Sequence, residues 1–406
     1  MKILIISKYA FSKETGFETR LFALSRIFVK KGHQVSIISS VDNYFGSFPN
    51  HRKTYNHEMI DGISVTWIKS FQYKKTISLK RVFSWIDFEW KLLWTNTKVF
   101  NQPDVIIVSS LSLLTILNGI RLKKKFNCKL IFEIRDIWPL TLVEEGGYSE
   151  SNPFVKVLSW IERCGYKKSD LTIGTMPNIA EHVNSVTKQN VKSACVPFGF
   201  HLEDYKQKQL TEEYKTDYGI PTNKFVIGYA GSIGLSNGLD TFINVIRRLK
   251  NNQQIHFVIL GKGASRESYM NYLSDCSNVQ FIAKVERHQV KNILANCDIL
   301  YFAALKSKVW KYGWSPNKLI DYMISGKPVL ASYSGYQSMI NEANSGLFVP
   351  AEDEEALLDG IQVMYSMSSK ELVAMGQRGK EWLIENRQWK TLADNYLSII
   401  EKLVCS

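Results

Sequence analysis

Short, uniformly apolar runs alternate with longer segments of helical period along most of this chain. In the first half the runs fall at Ile3 to Ile6, Val35 to Ser39, Val65 to Ile68, Val105 to Val108, Leu130 to Glu133 and Leu171 to Gly174, with helical segments between most of them. A strand that is apolar on both faces is buried on both faces, so the pattern predicts parallel sheets covered by helices. Val196 to Tyr205, with Pro197, Gly199 and two acids, reads as the end of that domain and the start of a linker. The pattern then restarts, with strands expected at Phe225 to Tyr229, His256 to Leu260, Val279 to Ile282, Ile299 to Phe302, Pro328 to Ala331 and Gly346 to Val349. Helices fit at Leu239 to Leu249, Arg287 to Ala295, Asn317 to Ile324, Tyr336 to Ala343 and Glu352 to Tyr365. The fold class is therefore α/β, two doubly wound Rossmann-like domains in tandem. In such sheets ligands bind beyond the carboxyl ends of the strands, which puts the expected active site in a central cleft between the halves. The tail from Glu371 to Leu403 is helical in period, and Trp382, Trp389 and Tyr396 recur every seven residues, as if on one stripe.

Composition agrees with two globular domains. The chain has 406 residues, 45% hydrophobic and 22% charged, more than one ordinary core accommodates. Its cysteines (Cys128, Cys164, Cys195, Cys276, Cys297, Cys405) are scattered without a C-x-x-C, which argues against a disulfide framework or a zinc site and suits a reducing cytoplasm. The apolar run after Lys2 is too short for a signal peptide, and no stretch is long enough to span a bilayer. The formal charge of +13 calls for an acidic partner. From Lys69 to Lys98 the cations Lys74, Lys75, Lys80 and Arg81 are interleaved with aromatics that include Trp85, Trp90 and Trp94, a mixture suited to an anionic membrane surface or to a core helix. No nucleic-acid module accompanies it.

Candidate chemistry concentrates between Tyr312 and Leu330. Ser315 offers an N-cap oxygen and Pro316 suits the first helical position, so a helix is expected to open there, with its free N–H groups able to bind an anion. Lys318 puts a cation in the first turn, where the macrodipole disfavours it, so a negative group is expected opposite. Asp321 follows on the same face, placed to accept hydrogen bonds from a hydroxylated ligand. The set, with Asn317, reads as a nucleotide diphosphate site; a capped amphipathic helix with a surface Lys and Asp is the plainer reading. In the first half, Gly16 and Arg20 follow the first strand as candidate donor contacts, and Arg135-Asp136 stand at a strand's carboxyl end, where charged residues face a cleft. In the second half Gly231 and Ser232 follow a strand and allow close approach of a phosphate or sugar, while Lys306, Lys308 and Lys311 precede the main motif as a possible cationic mouth. There is no Asp-x-Asp pair to hold a metal on a diphosphate, so no metal site and no cofactor are expected, and the charge falls to Lys, Arg and helix N-termini.

In order and spacing, the loop around Gly16, Gly32-His33, Val196-Pro197-Phe198-Gly199, Tyr229-Ala230-Gly231-Ser232 and the Pro316 to Pro328 motif resemble the family 4 glycosyltransferases, retaining enzymes of the GT-B fold. Arg135-Asp136-Ile137-Trp138-Pro139 and Tyr312 to Lys318 look like the branch that includes bacterial O-antigen and capsule transferases of N-acetylated deoxysugars. The resemblance implies that Asp321 stands for the second acid of the family's Glu-x7-Glu motif and holds the donor ribose, while Gly313 replaces the first. Ser232 and Asn237 stand where the family commonly has an Arg and a Lys for the diphosphate, which leaves Lys318 as the best phosphate ligand. It further implies an acceptor-side domain over 1–200, with the helix 385–406 packing back on it, and a donor domain over 201–384. The expected activity is retaining transfer of a sugar from a UDP-sugar to a polyprenyl-diphosphate-linked glycan at the inner face of the plasma membrane, with Asp136 and Lys318 as catalytic groups. A non-catalytic two-lobed sugar- or nucleotide-binding protein, and a nucleotide-sugar epimerase, are the rival readings.

Overall fold

The first apolar run forms β1 (Lys2–Ile6), whose side chains alternate between two buried faces. The computed structural model describes residues 1–16, 18–41, 53–73, 79–206 and 218–406. These residues form two units, Met1–Gly199 with Trp389–Ser406, and Phe200–Gln388. The junction near the C-terminus thus falls a few residues later than 384.

In the first unit β1 is flanked by β2 (Gln34–Ser40), β3 (Tyr55–Ile60), β4 (Ile63–Ile68), β5 (Val105–Ser109), β6 (Lys129–Ile134), β7 (Leu171–Gly174) and β8 (Ser193–Cys195). The order is β3-β4-β2-β1-β5-β6-β7-β8, parallel except for β3, which runs against β4. β3 and β8 were not expected from sequence. Both lie at sheet edges, where β3 is half polar and β8 very short, so neither shows an apolar run. The helices are α1 (Arg20–Lys30), α2 (Leu79–Leu93), α3 (Thr115–Phe126), α4 (Leu140–Glu144), α5 (Pro153–Lys168) and α6 (Ile179–Thr187). Right-handed crossovers put α1 on one face and α2, α3, α5 and α6 on the other. The C-terminal helix, Trp389–Val404, packs on α1, and Ile3, Ile5, Ile37, Phe28, Tyr396 and Ile400 share the core there.

The second unit begins with α7 (Glu203–Lys206). Its strands β9 (Phe225–Ala230), β10 (Ile255–Leu260), β11 (Val279–Ile282), β12 (Ile299–Ala303), β13 (Val329–Ser332) and β14 (Gly346–Val349) pair in the order β11-β10-β9-β12-β13-β14, all parallel. Its other helices are α8 (Asp240–Arg248), α9 (Arg266–Tyr272), α10 (Arg287–Ala295), α11 (Asn317–Ile324), α12 (Glu354–Tyr365) and α13 (Ser369–Asn386). Two expectations fail. Tyr336 to Ala343 forms turns, not a helix. The tail breaks at Arg387-Gln388, so Trp382 belongs to the second unit while Trp389 and Tyr396 lie in the core of the first, and the aromatic stripe does not exist. The sequence GQRGK explains the first half of that tail: Gly376 and Gly379 face the body of the second unit, where a Cβ at 376 would fall 2.0 Å from the Gly326 carbonyl oxygen.

Candidate functional site

Strand order in the second unit reverses at β9, whose neighbours β10 and β12 follow it in opposite directions. Such a reversal leaves a crevice at the strands' carboxyl ends. The turns after β9 and β10 meet there main chain to main chain. Gly231 N–H donates to the Leu260 carbonyl at 3.0 Å, and Ile233 N–H to the Lys262 carbonyl at 2.9 Å. Side chains at Gly261 or Gly263 would each put a Cβ 1.9 Å from a carbonyl oxygen of the facing turn. The glycines are therefore required by the approach of the two turns.

α11 delivers Lys318 to this crevice. Buried Tyr322, one turn further on, accepts a hydrogen bond from the Ala230 N–H at 2.8 Å and donates to the Ala230 carbonyl at 3.1 Å, which ties the helix to the end of β9. Lys318 Nζ then donates to the Tyr229 hydroxyl at 2.8 Å, 4.4 Å above the centre of that ring, and reaches Asn237 Oδ1 at 3.5 Å. A Cβ at Gly231 would lie 2.6 Å from Lys318 Cε, so Gly231 is the space the lysine occupies. Among the described residues no carboxylate stands within ion-pair distance of Lys318. Burial lowers its pKa from 10.5 to about 8.

An open pocket of about 930 Å³ runs past this lysine, lined by Gly231, Ser232, Lys262, Lys284, Lys318 and Asp321 among others. It brings together four of the donor-side candidates, Gly231, Ser232, Lys318 and Asp321. The carboxylate of Asp321 accepts a hydrogen bond from the Tyr205 hydroxyl of α7. Tyr205 is itself clamped: Lys291 lies 4.6 Å over its ring and donates to its carbonyl at 3.0 Å.

Other candidates fall differently. α11 starts at Asn317 with Pro316 as N-cap and no side-chain capping bond, so Ser315 is not the cap but a buried residue ahead of the helix. The earlier opening fails because Pro316 sits in extended conformation, with ψ at 137°. Asn317 is exposed and does not line the pocket. Lys306, Lys308 and Lys311 are also exposed and outside it; the lining cations are Lys262, Lys284 and Lys318. Lys262 and Lys284 lie in strand-to-helix loops, which carry no pattern of their own in the sequence.

In the first unit Arg20 does not face a ligand. Its guanidinium is fully buried against Glu133 at 3.4 Å, with neither side chain exposed, and it also donates to the Pro197 carbonyl. Phe198 and Trp389 lie against it at 5.8 and 5.9 Å. Gly16 stays in an exposed turn with φ of 133°, a region that favours glycine. Asp136 is exposed just beyond β6 and caps no helix, since α4 has Pro139 at its N-cap. Surrounding protein raises its carboxyl above the usual range, while Arg135 and Arg81 pull it back. Trp85 is also corrected. It is 3% exposed and donates to the Tyr9 hydroxyl at 2.8 Å, inside an aromatic cluster with Phe11 and Tyr73, so it is core and not a membrane contact. Trp90 and Lys80 are exposed, Arg81 lies over the Trp85 ring, and Lys74 and Lys75 fall outside the described residues.

No group of three or more His, Cys, Asp and Glu among the described residues is placed to hold a metal ion. Likewise, no described helix is long and apolar enough to cross a membrane.

Residues 211–382 match the family model for glycosyl transferases group 1. An uncharacterized glycosyltransferase of Methanocaldococcus jannaschii, MJ1069, is 22% identical over 249 residues, which are 59% of this chain and 60% of that protein. The chain therefore spans about 60% of the length of the curated relative it matches. Sucrose-phosphate synthase from Thermosynechococcus elongatus superposes with a TM-score of 0.69 at 15% identity, over 99% of both chains. Anabaena HepE in complex with UDP-glucose does so with a TM-score of 0.61 at 13% identity, over 99% of this chain and 100% of that one. The pocket around Lys318 thus lies within the segment that matches the family model for glycosyl transferases group 1, in a chain that has the two-domain α/β fold of the GT-B glycosyltransferases.

Proposed function

We propose that the protein is a retaining glycosyltransferase that binds a UDP-sugar in the second unit and transfers the sugar to a polyprenyl-diphosphate-linked glycan at an anionic membrane face, as in O-antigen or capsule synthesis. The observation that carries the reading is Lys318: a cation at the switch point of the sheet, buried enough to lower its pKa to about 8 and without a carboxylate partner among the described residues. A diphosphate is the group that compensates such a charge. Gly231 and Ser232 let it approach the main chain, and Lys262 and Lys284 add charge at the rim. Asp321, one helical turn from Lys318, accepts the ribose hydroxyls. The UDP-glucose held by the structural neighbour HepE supports a uridine donor.

Chemically, little is asked of the protein beyond position and charge. The bond from the anomeric carbon to the diphosphate breaks, and the electron pair leaves with the phosphate, where Lys318 stabilises it. The acceptor hydroxyl attacks from the same face and gives its proton to the departing phosphate, which retains configuration without a protein nucleophile. Asp136, at the carboxyl end of β6, orients the sugar or the acceptor. With Lys318 neutralising the diphosphate, the transfer proceeds without a divalent metal.

Incubation with UDP-sugars and a polyprenyl-diphosphate-linked glycan in excess EDTA tests the reading. Transfer with the donor's anomeric configuration kept, and reduced in Asp136→Asn at unchanged melting temperature, is the expected result. Activity that vanishes in EDTA and returns with Mg²⁺ or Mn²⁺ contradicts the metal-free part. Binding of UDP without turnover of any donor favours a binding protein, and interconversion of free UDP-sugars an epimerase.

Tyr205 supplies a separate expectation. Its hydroxyl donates to one oxygen of the carboxylate that the ribose is to use, and so competes with the donor for it. Tyr205→Phe removes the competitor and is expected to tighten UDP binding several-fold, as the loss of one charge-assisted hydrogen bond worth about 1.5 to 3 kcal/mol would, less what water recovers. Weaker binding of UDP by Tyr205→Phe would show instead that the phenol contacts the nucleotide.

A further inference from the structure

α2 is apolar on both sides. Trp85, Phe88 and Leu92 point inward, and buried Glu89 accepts hydrogen bonds from Asn118 at 2.8 Å and Ser112 at 3.3 Å, as well as from Thr115, which fixes the rotation of α2 against α3. With that rotation set, Phe83, Ile86, Trp90, Leu93 and Trp94 form an outward stripe, each from 39% to 69% exposed. Trp90 and Trp94 meet edge to face at 6.0 Å but cover nothing else of the stripe. A groove of about 680 Å³ runs beside it, walled by Phe71, Phe83, Ile86 and Trp90. Contiguous exposed apolar surface of this kind marks an interface.

The stripe does not stand alone. α3 packs between α2 and α5 on the same side of the sheet, so the outer faces of the three helices form one surface. α5 shows outward Val157 and Trp160, 53% and 59% exposed, next to exposed Lys156, Arg163 and Lys167. α3 adds exposed Leu117, Lys124 and Lys125. None of these five lysines and arginines on α3 and α5 has an ion-pair partner among the described residues. The acids of the three helices do not offset them: Asp87 is paired with Lys91 at 2.7 Å, and Glu89 and Glu162 are buried.

We propose that this outer face of α2, α3 and α5 docks flat on an anionic lipid bilayer, with Trp90, Trp94 and Trp160 at the headgroup level and the cations against lipid phosphates. It deepens the membrane part of the proposed function and rests on that reading, but extends the contact from one segment to three helices. Charge complementarity selects the occupant. A second copy of this chain would bring a like-charged face to a protein of net charge +13, whereas an anionic bilayer neutralises it and takes up the tryptophans.

The test is co-sedimentation of the full chain with phosphatidylglycerol-rich and with neutral phosphatidylcholine vesicles, with UDP titrated into the same preparations. A triple variant Lys156→Gln, Arg163→Gln, Lys167→Gln is expected to lose partition into the anionic vesicles about 100-fold, at about 1 kcal/mol for each cation near the surface. Trp160→Ser is expected to lower the part of binding that persists at high salt. Both variants are expected to bind UDP as the parent does. Failure of UDP to bind the parent would sink the donor site without touching the membrane face. Equal binding of the parent to both vesicle types, unchanged binding of both α5 variants, or a dimer in sedimentation velocity that Trp160→Ser dissociates would overturn the docking proposal.

Discussion

Replacing Lys318 by Met is expected to lower kcat/KM by 10² to 10³, about 2.7 to 4 kcal/mol, because a charge aimed at the leaving diphosphate is lost. Met keeps the aliphatic stem that fills the space over Gly231, so the loss is of charge and not of packing. The same substitution should not destabilise the fold. In the folded chain the pKa of Lys318 is about 8, below the 10.5 of an unfolded chain, so between these values the unfolded chain binds more protons. The ammonium thus costs the fold stability below about pH 8, and that cost fades as pH rises from 8 through 10.5. A neutral Met removes it at pH 7. Turnover that falls while the melting temperature holds or rises is the signature of a functional lysine. A fall in both, with UDP affinity unchanged, would make Lys318 a structural residue.

The second large effect is on stability and lies in the first unit. Arg20→Ala is expected to cost about 3 to 5 kcal/mol, because it leaves Glu133 buried without its counter-charge. Tyr396, whose hydroxyl lies in the same buried setting and whose pKa burial raises well above the usual value, cannot replace a cation there. Chemical denaturation of Arg20→Ala beside the double variant Arg20→Met, Glu133→Leu checks this. Removing both charges should restore much of what removing one takes away. An Arg20→Ala protein as stable as the parent but unable to bind donor would return Arg20 to the ligand-binding role its position after β1 suggested.

That contrast shows how far the sequence could be read. Strands buried on both faces announce themselves by continuous apolar runs, and each of the twelve such runs lies on a strand of the structure. Edge strands β3 and β8 have no such run, because β3 carries polar residues at exposed positions and β8 is only three residues long. Tyr336 to Ala343 has a helical composition, yet Met339 takes a positive φ of 61° and the segment turns on itself. That Lys318, Asp321, Gly231 and Ser232 would line one pocket was legible because their positions relative to strand ends and a helix start are local. Arg20 was misread because its partner, Glu133, lies 113 residues away on β6, and only the sheet brings them together. Trp85 and Trp90 have the same chemistry and lie five residues apart. Which of them faces the core is decided by Tyr9 and Glu89, contacts that the helical period alone does not identify.

The central claim, that the second unit holds a nucleotide diphosphate on Lys318, is tested most directly by calorimetric titration of UDP at pH 7 and pH 9, in buffers of different ionisation enthalpy. With the pKa of the unliganded lysine at about 8, binding at pH 9 must take up a proton, and affinity should fall by up to about tenfold from pH 7 to pH 9. Lys318→Met should bind weakly, with no proton uptake and no such pH dependence. UDP affinity that is the same at both pH values and in Lys318→Met would contradict the account.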